Sequence, residues 1–162
     1  MQVISKLLLL PRNHSQRVVV LANIEDNQLA GSTVSGLLGC EWIMDAYGCD
    51  PDRLRDLETM MRLCEGIVEQ LDLNVVGQPV WHQFPGHAGV TGLYLLSESH
   101  LACHTYPEVQ VATLNLYCCH WIQERPWADM LGQALRASHC DIVCVPRGRS
   151  VCTPMSLGKE IG

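Results

Sequence analysis

At 162 residues the chain has room for one domain with a real core and not for two substantial ones. Its formal net charge of -6, without concentrated Lys and Arg, argues against nucleic acid and suits a cationic small molecule. Nine cysteines would suggest disulfides in a small secreted protein, but an apolar fraction of 48% builds a core without staples, so reduced thiols in the cytoplasm are expected.

In chain order, residues 1–38 carry two short apolar runs, 3–10 and 18–22, and then a polar stretch around Gly31, Ser32, Thr33 and Gly36. They read as an N-terminal extension that adds a strand or is partly disordered. The run at Leu7 to Leu10 stops at Pro11, short of a signal-peptide core, and no stretch approaches the about 18 apolar residues of a membrane span. Residues 41–47 read as the first core strand. Asp50 as N-cap with Pro51 at the first helical position starts a helix over 51–71, with Leu54, Leu57, Met61, Cys64, Val68 and Leu71 on its buried stripe.

Residues 74–84 form the next expected strand, bent near Gly77 and Pro79, and Gly86 and Gly89 turn the chain into a strand at 90–96. Residues 100–106 are extended, Pro107 interrupts, and 109–118 make another strand. Pro126 and Trp127 open a second helix with Met130, Leu131, Ala134 and Leu135 inward, ending near Ser138. Residues 141–145 close the sheet, and Arg147, Arg149 and a C-terminal tail, 151–162, are expected in solvent. Strand, helix, strand, strand, then strand, helix, strand gives two similar halves: an α+β two-layer sandwich, an antiparallel sheet with helices packed on one face. Consecutive strands without a crossover helix disfavour a parallel doubly wound sheet.

Residues 84–119 gather hydroxyl, carboxylate, imidazole and thiol groups beside an apolar strand, which is the composition of a reactive site. Glu98-Ser99-His100, then His104-Thr105-Tyr106-Pro107-Glu108, then Cys119, taken in order, resemble the signature of the prokaryotic S-adenosylmethionine decarboxylases, which are self-processing pyruvoyl enzymes. The resemblance covers residues 39–150 and implies their fold, their homodimer and their place in supplying the aminopropyl donor for spermidine. The lysines agree with it. Decarboxylating an amino acid needs an electron sink, and Lys6 and Lys159, the only lysines, lie near the termini, away from the motif, where neither suits a pyridoxal Schiff base.

Carried over residue by residue, the resemblance implies cleavage between Glu98 and Ser99, with Ser99 becoming the pyruvoyl group at the head of residues 99–162. His104 takes the place of the processing histidine, and Thr91 stands where many members have a serine that bonds the rearranging peptide. Thr91 is equally ordinary as a strand residue. Cys119 matches the acid that protonates the substrate's alpha carbon; neighbouring Cys118 should point to the opposite face. Glu108 matches a carboxylate that accepts from ribose hydroxyls. Phe84, the only phenylalanine, falls near the position of an adenine-stacking ring, with one residue more than usual before Thr91, and plain core packing is the other reading.

Two departures stand out: Asn115 where relatives generally carry aspartate, and Tyr106 for a common tryptophan. The residues leave other readings open. A different amino acid, such as arginine or ornithine, fits the same chemistry, because fold and cofactor do not fix substrate. A non-catalytic partner subunit would be signalled by loss of Ser99, His104 or Cys119. A zinc module built from His100, Cys103, His104, Cys118, Cys119 or His120 matches no common zinc spacing, and no metal is expected.

Overall fold

The computed structural model describes Leu8–Leu9, Gln16–Val20 and residues 37–149, with side chains described over 38–148. The expected disorder in the N-terminal extension and the tail at 151–162 lie outside the described residues. One sheet, covered by helices on one face, accounts for the described architecture. The strands are β1 (Leu8–Leu9), β2 (Gln16–Val20), β3 (Leu37–Tyr47), β4 (Val80–Gln83), β5 (Val90–Leu96), β6 (Ser99–Tyr106), β7 (Val111–Cys118) and β8 (His139–Arg149). They lie in the order β1-β2-β8-β3-β7-β6-β5-β4. Every pair is antiparallel except β2 with β8.

Strict alternation decides which face is dry. Cys40, Trp42, Met44 and Ala46 of β3, Leu101 and Cys103 of β6, and Ala112, Leu114 and Leu116 of β7 are all buried under the helices. Trp42 anchors this layer, packing on Trp127 with ring centroids 5.8 Å apart and donating from Nε1 to the Ile122 carbonyl at 3.2 Å. The opposite face carries polar and aromatic side chains and has no layer over it among the described residues.

The single helix expected over 51–71 is two: α1 (Pro51–Arg55) and α2 (Leu57–Gln70). Asp56 adopts an extended conformation between them and its carboxylate accepts from the Thr59 N–H at 3.0 Å, so an aspartate placed mid-pattern caps a new helix instead of continuing the old one. The restart shifts the helical phase. Met60, Leu63 and Ile67 are buried with Cys64 and Val68, while Met61, Leu57 and Leu71 are only partly so. A third helix, α3 (Trp127–Leu135), buries Trp127, Leu131 and Leu135, and Met130 and Ala134 only in part.

The expected strand over 74–84 is reduced to β4 and an isolated bridge from Val75 to Leu96, with Gly77 at φ +76° between them. The strand expected at 141–145 is longer at both ends. Arg147 and Arg149 are strand residues, and Arg147 forms an ion pair with Glu41 across β3. Pro146 does not stop β8, because pairing with β2 ends at Cys144 and the missing N–H interrupts no described ladder on that side.

Candidate active site

The turn Ser97-Glu98 joins β5 to β6, with Leu96 and Ser99 facing each other across it. Two-residue hairpins favour glycine or asparagine at the positions of positive φ, and this one has neither. The distortion falls on Ser99, whose φ is +151°, a conformation close to glycine-only. Neighbouring segments grip the corner from both sides. The Ser97 N–H donates to the Asn74 carbonyl at 2.9 Å, and Asn74 donates back to the Glu98 carboxylate from Nδ2 at 3.2 Å and from its backbone N–H at 3.4 Å. Burial works to raise the Glu98 carboxyl, but the hydrogen bonds from Ser97 and Asn74 outweigh it and hold the group below the usual glutamate value. On the other side, the Cys119 N–H donates to the Glu98 carbonyl at 2.9 Å.

Cys118 and Cys119 part as alternation requires. Cys118 is fully buried and burial pushes its thiol up to about 12, whereas Cys119 lies beyond the end of β7 with its side chain exposed. Ser99 Oγ lies 3.2 Å from His100 Nδ1, and His100 Nε2 lies 3.4 Å from Asn115 Nδ2. Sequence reasoning includes His100 in the signature and notes Asn115 as a departure, but it assigns neither a role and does not bring the two together. The signal that would is the β6–β7 register, which sets His100 opposite Tyr117 and therefore diagonal to Asn115 on the open face.

A second cluster lies further along the same strands. Thr91 stands directly across from His104, and its hydroxyl is hydrogen-bonded to His104 Nδ1. His104 meets Tyr106 edge-on with centroids 4.7 Å apart and Phe84 at 5.7 Å, and Phe84 meets His82 at 4.5 Å. Phe84 is 42% exposed, so it is not a core residue. Glu108 follows, exposed, on a 3-10 turn, Pro107–Val109, that is anchored by the buried Pro107.

The expected residues therefore form two groups: Glu98, Ser99 and Cys119 in one, and Phe84, Thr91, His104 and Glu108 in the other. Ser99 and His104 are five residues apart on one extended strand, a span of about 16 Å. The zinc set does not converge either, because Cys103 is buried under the helices while His100 and His104 face the other way. Among the described residues no group of three or more His, Cys, Asp or Glu is arranged to hold a metal.

Comparison with known proteins gives a consistent picture. A family profile described as S-adenosylmethionine decarboxylase matches residues 40–148. The S-adenosylmethionine decarboxylase proenzyme of Aquifex aeolicus is 39% identical over 82 residues, which span 51% of this chain and 59% of that protein, short of two thirds of its length. The proenzyme of the same name from Anoxybacillus flavithermus is 30% identical over 111 residues, covering 68% of this chain and 88% of the relative. The crystal structure of the adenosylmethionine decarboxylase from Aquifex aeolicus superposes with a TM-score of 0.58 at 27% identity, covering 79% of this chain and 99% of that one.

Proposed function

The chain belongs to the S-adenosylmethionine decarboxylase family, and on that premise we propose that it is a proenzyme that cuts itself between Glu98 and Ser99 and then decarboxylates S-adenosylmethionine. The observation that carries the cleavage is the corner itself. A non-glycine residue at φ +151° follows a carbonyl already engaged by the Cys119 N–H, so the peptide is distorted and its oxygen is met by a donor where negative charge would develop.

The steps follow from bond counting. Ser99 Oγ adds to the Glu98 carbonyl carbon and the Ser99 nitrogen leaves, exchanging an amide for an ester. Loss of the Ser99 Cα proton with scission of Cβ–Oγ then frees residues 1–98 with an intact Glu98 carboxylate. Addition of water and loss of ammonia leave a ketone at the head of residues 99–162. That pyruvoyl group supplies the electron sink for decarboxylation once the substrate amine has condensed with it. Cys119, exposed beside the corner, returns a proton to the substrate's alpha carbon.

His104 is the base for the Cα proton, held by Thr91 on Nδ1, which leaves Nε2 to take the proton. At about 16 Å along its own strand it cannot reach its own Ser99, since proton transfer needs contact near 3 Å. Two copies packed through their open sheet faces place His104, Thr91, Phe84 and Glu108 of one beside Ser99 and Cys119 of the other. The exposed Leu93 and Leu95 on the open face of β5 give such a homodimer apolar surface to bury. Phe84 and Tyr106 then wall the adenine and the sulfonium cation, and Glu108 accepts from the ribose hydroxyls.

Supplying the aminopropyl donor for spermidine is the role this product serves. The described cysteines are free, among them the buried Cys40, Cys49, Cys64, Cys140 and Cys144, which suits the reducing cytoplasm. Among the described residues no helix is long and apolar enough to cross a membrane. An intact-mass spectrum of the purified chain tests the reading: two polypeptides, 1–98 and 99–162 with a blocked start, against a single uncut chain for Ser99→Ala. Carboxyl-labelled S-adenosylmethionine should release labelled carbon dioxide, and arginine and ornithine should not. A wild-type chain that stays whole and releases nothing refutes it.

A further inference from the structure

Self-cleavage, the premise carried over from the proposed function, requires the Ser99 hydroxyl to lose a proton as its oxygen attacks and the departing Ser99 nitrogen to gain one. The group in contact with that hydroxyl is His100, with Nδ1 3.2 Å from Ser99 Oγ. Its ring is held in place. It packs against Tyr117 with centroids 5.8 Å apart, the Arg147 guanidinium lies 5.3 Å from the centre of the Tyr117 ring, and Arg147 is fixed by its ion pair with Glu41.

We infer that His100 is the proton shuttle of the amide-to-ester exchange. Nδ1 takes the Ser99 Oγ proton as the bond from Oγ to the Glu98 carbonyl carbon forms. It returns that proton to the Ser99 nitrogen as the C–N bond breaks. Atoms and charge balance: one amide becomes one ester, no oxidant, reductant or water enters, and the transient negative charge rests on the Glu98 oxygen facing the Cys119 N–H. His104 is left with the later step alone, removal of the Cα proton, for which its distance along the strand and its Thr91 partner set it apart.

Asn115 decides whether the shuttle can start. A neutral imidazole accepts at Nδ1 only when its hydrogen sits on Nε2. With Asn115 Nδ2 turned toward the ring, Nε2 accepts, Nδ1 carries the hydrogen, and Ser99 Oγ is held without being activated. Half a turn of the amide presents Oδ1 to Nε2–H and exposes the Nδ1 lone pair to the serine. An asparagine thus permits a resting and an active tautomer, while a carboxylate at this position accepts only and fixes the active one.

Cell-free synthesis followed by intact-mass spectrometry over time tests this on the full chain. His100→Ala should cleave at least ten times more slowly than wild type and regain rate with added imidazole, which a purely structural histidine would not do. Its uncut chain should resist hydroxylamine, which cuts esters and leaves peptide bonds, whereas His104→Ala should accumulate hydroxylamine-sensitive ester. Asn115→Asp should cleave faster than wild type and Asn115→Leu more slowly, a gain that misfolding cannot produce. Wild-type rate in His100→Ala, ester accumulating in it, or Asn115→Asp no faster than wild type overturns the assignment. A wild-type chain that never cleaves overturns self-cleavage itself and the shuttle with it, a result distinct from each of these.

Discussion

If Ser99 of one copy is served by His104 of another, two inactive chains should repair each other. Ser99→Ala lacks the nucleophile and His104→Ala lacks the base, and each alone should stay uncut. The strand geometry supplies the expected yield. Five residues of extended chain hold the two groups about 16 Å apart in any one copy, so neither variant can be rescued from within. In a mixed dimer one site combines Ser99 of the His104→Ala chain with His104 of the Ser99→Ala chain and is complete, while the other site lacks both. Equal amounts exchanging freely give half mixed dimers with one good site in two, or about a quarter of the wild-type sites. Mixing the purified variants after a brief dissociating treatment and following mass over time reads this directly, and every new fragment should come from the His104→Ala chain. A mixture that stays uncut, or a His104→Ala chain that completes cleavage alone, refutes the shared site.

Cys119→Ser should still cut itself, because only its backbone N–H touches the scissile carbonyl, but carbon dioxide release per cleaved chain should fall by roughly a hundredfold, as a hydroxyl is a poorer acid than a thiol. Unchanged turnover would remove Cys119 from the chemistry. Gly39→Ala puts a methyl group 2.1 Å from the Cys118 carbonyl oxygen and 3.2 Å from Cys119 Cα, both backbone. The Cys119 N–H must move, and loss of a donor of this kind should slow self-cleavage by roughly tenfold or more, read by the same mass assay. Asp45 is pushed up by burial and then by the charge of Asp141 opposite it, against a hydrogen bond with Tyr47. A carboxyl raised on folding opposes stability above its folded value and ceases to do so as pH falls below its unfolded value. Asp45→Asn should therefore raise the thermal midpoint at pH 7, with the gain vanishing near pH 3 to 4, and a loss at pH 7 would contradict it.

The order of elements is legible in the sequence wherever local chemistry is unambiguous. β5 runs over 90–96 as expected, because Gly89 and the Ser97-Glu98 turn bracket a plain apolar run. Asp56 misleads because a carboxylate in the middle of a helical pattern looks like a solvent-facing residue, and its capping role depends on a backbone turn that the pattern does not announce. The last strand is expected too short, at 141–145, because how far it extends through Pro146 depends on the strand lying beside it. The reactive residues are legible as an ordered motif, and the separation of Ser99 from His104, on which the proposed sharing of the site between two copies rests, is already implicit in a strand reading. From the sequence, His100 presents itself as a member of the Glu98-Ser99-His100 signature and as a metal-ligand candidate, with no role in the chemistry assigned to it. Its contact with Asn115 comes from the register with β7, a long-range fact that no local pattern contains.

If the chain cuts itself between Glu98 and Ser99 as proposed, the order of the strands has a consequence for the product. Residues 1–98 contribute β1, β2, β3, β4 and β5, and residues 99–162 contribute β6, β7 and β8, but these do not sit side by side as two blocks. β8 is inserted between β2 and β3, and β3 between β8 and β7, so the two polypeptides interlock like the fingers of clasped hands. Neither piece can depart without unzipping ladders on both flanks. Scission therefore leaves the shape unchanged while making assembly from the denatured state a bimolecular event, so that a matured molecule, once melted, depends on concentration to find itself again.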